Sequence, residues 1–252
     1  MKCAGIILAG GKGTRMNSKT INKVALPFCG KAMIAYGVEL FLGFTDPLVI
    51  VVGAYAKSVQ RALKGTRVLY AEQKRRLGTG HATRVGVATL KKYTPDVVLV
   101  GYGDHLMFYK KSTLQKFLTA HKKQKNAVTL MTATYTKPNE LAWGRILRNK
   151  KGDVIGIVEQ KDATPAQRKI SELNVGLYCF DWKFLNTFIS KLKRSSVSKE
   201  YYLTDMAALA IENGFAVNGF KVDFSEVGLG VNKQEELEQS QKLFSHKKRR
   251  HV

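Results

Sequence analysis

The stretch "CAGIILAGGKGTRM", residues 3–16, opens as an apolar run and then packs three glycines and two cations into the six positions from Gly10 to Arg15. Cys3 to Leu8 read as a buried strand. Glycines directly after a strand let the chain turn sharply and aim successive N–H groups into a concavity that suits phosphate oxygens. The spacing matches neither common nucleotide motif: no Gly-Lys-Ser/Thr follows the glycines, and Met16 stands where a G-x-G-x-x-G pattern needs its last glycine. Taken alone, a tight turn with solvated Lys12 and Arg15 fits these residues as well as a phosphate site does.

Outward from this loop, apolar runs recur at Leu48 to Val52, Val68 to Ala71 and Val97 to Val100. Segments of helical period separate them, such as "KAMIAYGVELFL" and "GHATRVGVATLKKY". This βαβ rhythm predicts an α/β fold with a Rossmann-like, mostly parallel mixed sheet flanked by helices, binding ligands beyond the carboxyl ends of its strands. From Ala127 the texture changes. "AVTLMTATY", "GRILRNKKGDVIGIVEQ" and "ELNVGLYCFD" read as strands, with "NKKGD" as a hairpin turn, so antiparallel additions are expected at one edge of the sheet. Helices are expected around Leu203 to Glu212 and Lys233 to Phe244. No repeat or low-complexity linker interrupts the chain, which predicts a single domain over residues 1–245, followed by a solvated basic tail over 246–252.

The 252 residues carry 42 basic and 19 acidic side chains, a net charge of +23. Residues 1–126 hold 22 of the basic and 5 of the acidic side chains, a net +17, and the remainder a net +6. A polyanion site is therefore expected in the first half. One triphosphate needs only a few of these cations, so the surplus also raises a nucleic-acid-binding reading, for which no zinc finger, basic helix or aromatic RNA-binding motif is visible. No apolar run suits a membrane span, and the glycines after Leu8 come too early for a signal peptide, so a cytoplasmic protein is expected. Cys3, Cys29 and Cys179 form no metal or disulfide pattern and read as reduced thiols.

"LAGGKGTRM", followed by Lys23, resembles the LAxGxGTRM signature of the sugar-1-phosphate nucleotidyltransferases. The resemblance implies that Leu8, Ala9, Gly10, Gly11 and Gly13 hold the nucleotide and that Arg15 and Lys23 are the catalytic cations. Such cations stabilise the charge that develops on the transferred and departing phosphates. "EQKRRLGTGHA", residues 72–82, is similar to the QxxxLGTGHA segment of the bacterial N-acetylglucosamine-1-phosphate uridylyltransferases, which implies that Gln73, Gly78 and Thr79 read the uracil. The start of the helix at Gly78 to Gly80 is expected to offer free N–H groups.

"VVLVGYGDHLM" resembles the family's YGD motif. Asp104, together with Asn232 in "SEVGLGVNKQEEL", is thereby implied to bind Mg²⁺, with Tyr102 and Gly103 beside the sugar. "WGRILRNKKGDVIGIVEQKDAT", "ELNVGLY" and "KEYYLTD" follow the family's YGR, IVExKDA, INTG and EYYLTD segments in order, which implies sugar binding by Gly144, Glu159 and Asn174. On this resemblance residues 1–126 form a nucleotide half, 127–231 a sugar half and 232–245 a C-terminal helix. The implied reaction is Mg²⁺-dependent transfer of UMP from UTP to N-acetylglucosamine 1-phosphate, with thymidylyl or guanylyl transfer as the alternative.

The chain departs from the pattern in four ways. Asn22 stands where proline is usual before the lysine, with one extra residue after Arg15, which predicts a looser loop at Lys23. Gly10 replaces a common alanine. No hexapeptide-repeat acetyltransferase segment follows residue 245, so a monomer or weak dimer is expected. The positive charge is foreign to the family pattern.

Overall fold

In the computed structural model, residues 1–13, 20–228, 230–231 and 234–249 are described, apart from the side chains of residues 234 and 246–249. Strand β1 (Cys3–Ala9) occupies the middle of a nine-stranded sheet and pairs in parallel with both β4 (Leu48–Val52) and β6 (Val97–Tyr102). Beyond β4 lies β5 (Leu69–Glu72), also parallel. On the other side, β10 (Glu172–Asp181) runs antiparallel to β6 and to β7 (Val128–Thr134), and β11 (Val217–Val222) closes that edge parallel to β7. The hairpin of β8 (Arg145–Arg148) and β9 (Val154–Val158) joins β10 through the pair Leu173 and Arg145. Two short strands, β2 (Pro27–Phe28) and β3 (Lys31–Ala32), form a separate ribbon.

Side chains alternate across β1 and β4, and each face finds its own helices. Ile7 and Ile50 join Ile34, Val38 and Phe41 of α1 (Met33–Leu42) and Leu114 and Phe117 of α4 (Lys111–Gln124) on one face. Ile6 and Val49 join Val87 and Leu90 of α3 (Thr79–Leu90), Phe184 of α6 (Trp182–Phe188) and Met206 of α7 (Asp205–Glu212) on the other. The α/β expectation holds in order and type. The connections after β1 and after β5 lead to opposite sides of β1, which makes its carboxyl end the switch point where this kind of sheet opens a ligand crevice.

The strands expected after Ala127 pair antiparallel, in β7 with β10, β8 with β10 and β8 with β9, whereas the edge strand β11 runs parallel to β7. Helices α2 (Ala56–Ala62), α4, the four-residue α5 (Pro165–Arg168) and α6, like β11, go beyond the sequence expectations. After the four-residue α8 (Phe224–Val227), the last helix, α9 (Gln234–Arg249), runs well past Phe244 into the segment expected as a frayed tail. Its sequence contains no glycine or proline to end the helix at Phe244. Leu237 and Phe244 anchor α9 on Phe28 and Phe108, with the Phe28 and Phe244 rings 5.2 Å apart. No helix among the described residues is long and apolar enough to cross a membrane.

Candidate active site

A cavity of about 470 Å³ opens at the carboxyl end of β1. Its floor is Leu8, Ala9, Gly10 and Gly11 of the glycine loop, one wall is Gln73, Gly78 and Thr79, and the other is Lys23, Tyr102 and Asp104. A second cavity of about 160 Å³ adjoins it, lined by Gly144, Glu159 and Asn174 together with His105 and Trp143. Tyr102 and Asp104 line both. Residues from the two halves of the chain are thus brought together around one shared wall. Gly13 and Gly103 line neither cavity. Gly103 sits behind, donating its N–H to the Leu8 carbonyl at 3.0 Å. Arg15 and Asn232 lie outside the described residues.

Local packing explains the glycine loop. Gly13 adopts φ +61°, and a β-carbon there would stand 2.9 Å from the Lys23 Cβ. A side chain at this position would both strain the backbone and push the lysine away. Lys23 begins a 3-10 turn (Lys23–Ala25) capped by Asn22, whose Oδ1 accepts from the Val24 N–H at 3.1 Å. The Asn22 Nδ2 reaches the carbonyls of Ala9 and Gly11 at 3.0 Å each and of Ala54 at 2.7 Å, and its main-chain N–H donates to Ser58 Oγ. The looser loop expected between Arg15 and Lys23 falls mostly on residues 14–19, outside the described residues, but its described end at Asn22 is firmly held. A buried asparagine makes hydrogen bonds that proline lacks, and it ties the glycine loop, the lysine and the turn after β4 together.

Gln73 is buried, and its amide nitrogen donates to the Gly78 carbonyl at 3.1 Å and lies 3.0 Å from His81 Nδ1. Burial, with help from Arg84 and Arg194, lowers the His81 pKa and favours the neutral ring that accepts this bond. The other end of the amide explains Gly10, because a β-carbon there would come within 2.9 Å of Gln73 Oε1. At the start of α3 the expectation of free N–H groups fails for Gly80, whose N–H is taken by the Tyr201 carbonyl at 2.8 Å. The Thr79 hydroxyl accepts from the Leu203 N–H at 3.0 Å. The segment around "EYYLTD" thus closes over this helix end.

Asp104, just past β6, forms an ion pair with Lys23 through Oδ2. Burial pushes its carboxyl pKa up, but the Lys23 charge and hydrogen bond outweigh burial and hold it below the ordinary value, so the carboxylate stays ionised. Glu159 behaves oppositely. Burial raises its pKa to about 6, against a 2.9 Å hydrogen bond from the Thr204 hydroxyl, with Asp205, Asp162 and Glu200 adding repulsion. Asn174 donates from Nδ2 to Tyr178 Oη at 2.6 Å and accepts from the Gly176 N–H at 3.3 Å.

Among the described residues no group of three or more His, Cys, Asp or Glu side chains gathers as a metal cage. Asp104 is a single ionised oxygen ligand on the wall between the cavities, which fits Mg²⁺, an ion commonly held by one or two carboxylates plus substrate phosphates and water. Sequence reasoning missed Asn22 as an anchor, Arg145, His105 and Tyr178. Arg145 was readable as the cation of the "WGR" motif. The others have no local signal, because their partners come from distant segments or, in the case of Tyr178 with Asn174, meet only through a strand irregularity.

An α/β crevice at a switch point, floored by a glycine loop and walled by a lysine–aspartate pair, defines a nucleotide-handling protein. Residues 4–225 match the family described as nucleotidyl transferase, and the chain belongs to it. Among curated relatives, it is 37% identical over 241 residues to the bifunctional protein GlmU of Brevibacillus brevis, covering 95% of this chain and 51% of that one. It is 37% identical over 243 residues to the bifunctional protein GlmU of Limosilactobacillus reuteri, covering 96% and 52%. The chain thus spans about half the length of these relatives. A Bacillus anthracis crystal structure, provisionally named a glucose-1-phosphate thymidylyltransferase and holding sucrose, shares the fold with a TM-score of 0.76 at 21% identity, over 96% of this chain and 95% of that one.

Proposed function

We propose that the protein transfers UMP from UTP to N-acetylglucosamine 1-phosphate in the cytoplasm, releasing pyrophosphate and UDP-N-acetylglucosamine. The observation that carries this reading is the wall of Tyr102 and Asp104 shared by two cavities, the larger floored by the glycine loop and the smaller lined by Gly144, Glu159 and Asn174. Two anionic substrates seated on either side meet at that wall, where the attacking sugar phosphate oxygen is aligned with the α-phosphorus. The nucleophile is already an anion, so no general base is needed.

On this reading the glycine loop seats the triphosphate, Gln73 with Gly78 and Thr79 reads the base, and Glu159 and Asn174 read the sugar hydroxyls and the acetamido group. Arg15 and Lys23 neutralise the developing charge, and holding two reactants together supplies the remainder of the acceleration. Mg²⁺ held by Asp104 and Asn232 would offset the repulsion between the two anions. The test is pyrophosphate release with UTP, dTTP or GTP against N-acetylglucosamine 1-phosphate, glucose 1-phosphate or mannose 1-phosphate, with and without Mg²⁺. Turnover confined to UTP, the acetamido sugar and the metal is expected. Preference for another pair would replace the substrates named here.

A further inference from the structure

Behind the shared wall, Asn174, Tyr178 and Tyr102 are joined by hydrogen bonds. Asn174 and Tyr178 both belong to β10, and in an unbroken strand α-carbons four residues apart are separated by about 13 Å. Here the register of β10 against β7 slips between Asn174 and Tyr178, with Gly176 at φ +76°. The slip brings Asn174 Nδ2 to 2.6 Å from Tyr178 Oη. The Tyr102 ring lies against the same irregularity, since a β-carbon on Gly176 would come within 2.6 Å of it.

The Gly176 N–H can only donate, so the Asn174 atom facing it is the amide oxygen and the atom facing Tyr178 is the nitrogen. That nitrogen only donates. Tyr178 Oη therefore accepts from Asn174; its own proton is buried with the ring, and donating it to Tyr102 Oη at 3.4 Å is the arrangement that leaves it paired. Tyr102 in turn accepts from Tyr178 and turns its own proton elsewhere. Burial raises the Tyr178 phenol pKa well above its ordinary value, so its proton stays on the ring. Tyr178 lines neither cavity and is fully buried.

We infer that Tyr178 is a positioning residue for sugar-phosphate selection: it locks the flip of the Asn174 amide, keeping the second N–H for an acetamido carbonyl, and holds Tyr102 as a hydrogen-bond donor where the two cavities meet. This rests on the reading of the smaller cavity as the sugar site. Tyr178→Phe keeps the ring and removes both bonds. It is expected to raise the KM of the sugar 1-phosphate about five- to tenfold with the UTP KM within twofold. The preference for the acetamido sugar over glucose 1-phosphate is expected to fall toward that of Asn174→Ala, and the double variant to lose little more than either single one.

Parallel changes in both KM values, or strictly additive losses in the double variant, would overturn the inference. If Tyr178→Phe fails to fold, 3-fluorotyrosine at position 178, a better donor and weaker acceptor of the same shape, has to shift the sugar KM alone; no shift overturns it. A wild-type enzyme that ignores acetamido sugars sinks the substrate reading alone. The same Asn174 and Tyr178 cycle is then scored with the sugar 1-phosphate the enzyme does use, and additivity there overturns the inference. Turnover of no sugar phosphate at all overturns both.

Discussion

Lys23 and Asp104, 81 residues apart in the chain, meet as an ion pair at the wall between the two cavities. The aspartate stays ionised because this ammonium outweighs the cost of burying it. The lysine is in turn held in place by Gly13, which admits its β-carbon against the loop. On the proposed mechanism this ammonium acts where charge develops. Lys23→Ala is expected to lower kcat by about 10²- to 10³-fold and to change the UTP KM only a few-fold. Steady-state pyrophosphate release decides the point, and weakened UTP binding at unchanged turnover would contradict the role. Arginine at this position is not expected to rescue, since its planar fork is larger than the compact ammonium that fits beside Asp104.

Asn22 fixes the geometry that Lys23 depends on. Truncation in Asn22→Ala removes the amide that donates to the carbonyls of Ala9, Gly11 and Ala54, of which the Ala9 bond is buried, at a cost of about 1–3 kcal/mol. For a chain of this size that corresponds to a melting temperature lower by roughly 2–4 °C per kcal/mol. Asn22→Pro restores the residue usual in the family, and the backbone φ of −66° suits it. Proline still lacks the amide and the N–H donated to Ser58, so it is expected to melt below wild type as well. Thermal melts of both variants beside their turnover check this, and a proline variant that matches wild type would remove Asn22 from the account.

Arg145 is fully buried, and its guanidinium is held by main-chain carbonyls, with bonds to Leu141 at 3.1 Å, Pro138 at 2.8 Å and Trp143. These carbonyls belong to the turn that carries Trp143 and Gly144 into the smaller cavity. Arg145→Met is expected to destabilise by about 3 kcal/mol or more, because several carbonyls lose their donor at once. Arg145→Lys retains the charge but not the fork, and it is expected to fold with a raised KM for the sugar phosphate and an unaltered KM for UTP. Equal effects on both substrates in the lysine variant would show that Arg145 serves the whole fold and not this wall.

The parts legible in the sequence share a physical basis. β1, β4 and β6 are buried on both faces and read as unbroken apolar runs, and the glycine loop and Asp104 sit at the ends of β1 and β6, while Gln73 follows the half-exposed β5. β11 is a half-exposed edge strand of sequence "VNGFKV", which has no apolar alternation to read. α4 shows a helical period in Leu114, Phe117, Leu118 and His121, but its lysines resemble a solvated segment until the sheet supplies the burying face. Asn22 and Tyr178 are defined by partners from other turns or across a strand irregularity, and no local pattern encodes those meetings.

Glu159 makes the site sensitive to pH, with a sign that its environment fixes. Burial raises its pKa from the ordinary 4.5 to about 6, and Asp205 beside it is raised to about 6 by burial and by Asp162. The folded state therefore keeps protons that the unfolded chain releases at lower pH. The stability that these groups contribute is fully present below the unfolded pKa and is lost as pH rises through about 6. Glu159→Gln, which cannot ionise, is expected to melt above wild type at neutral pH and to lose that advantage on acidification. For binding the sign reverses, because only the ionised carboxylate offers its full acceptor capacity to sugar hydroxyls. The ratio of the variant's sugar-phosphate KM to that of wild type is expected to rise through pH about 6. Ionisation of the sugar phosphate itself cancels in that ratio. A flat ratio across this range would show that Glu159 does not touch the sugar, even if the stability profile behaves as described.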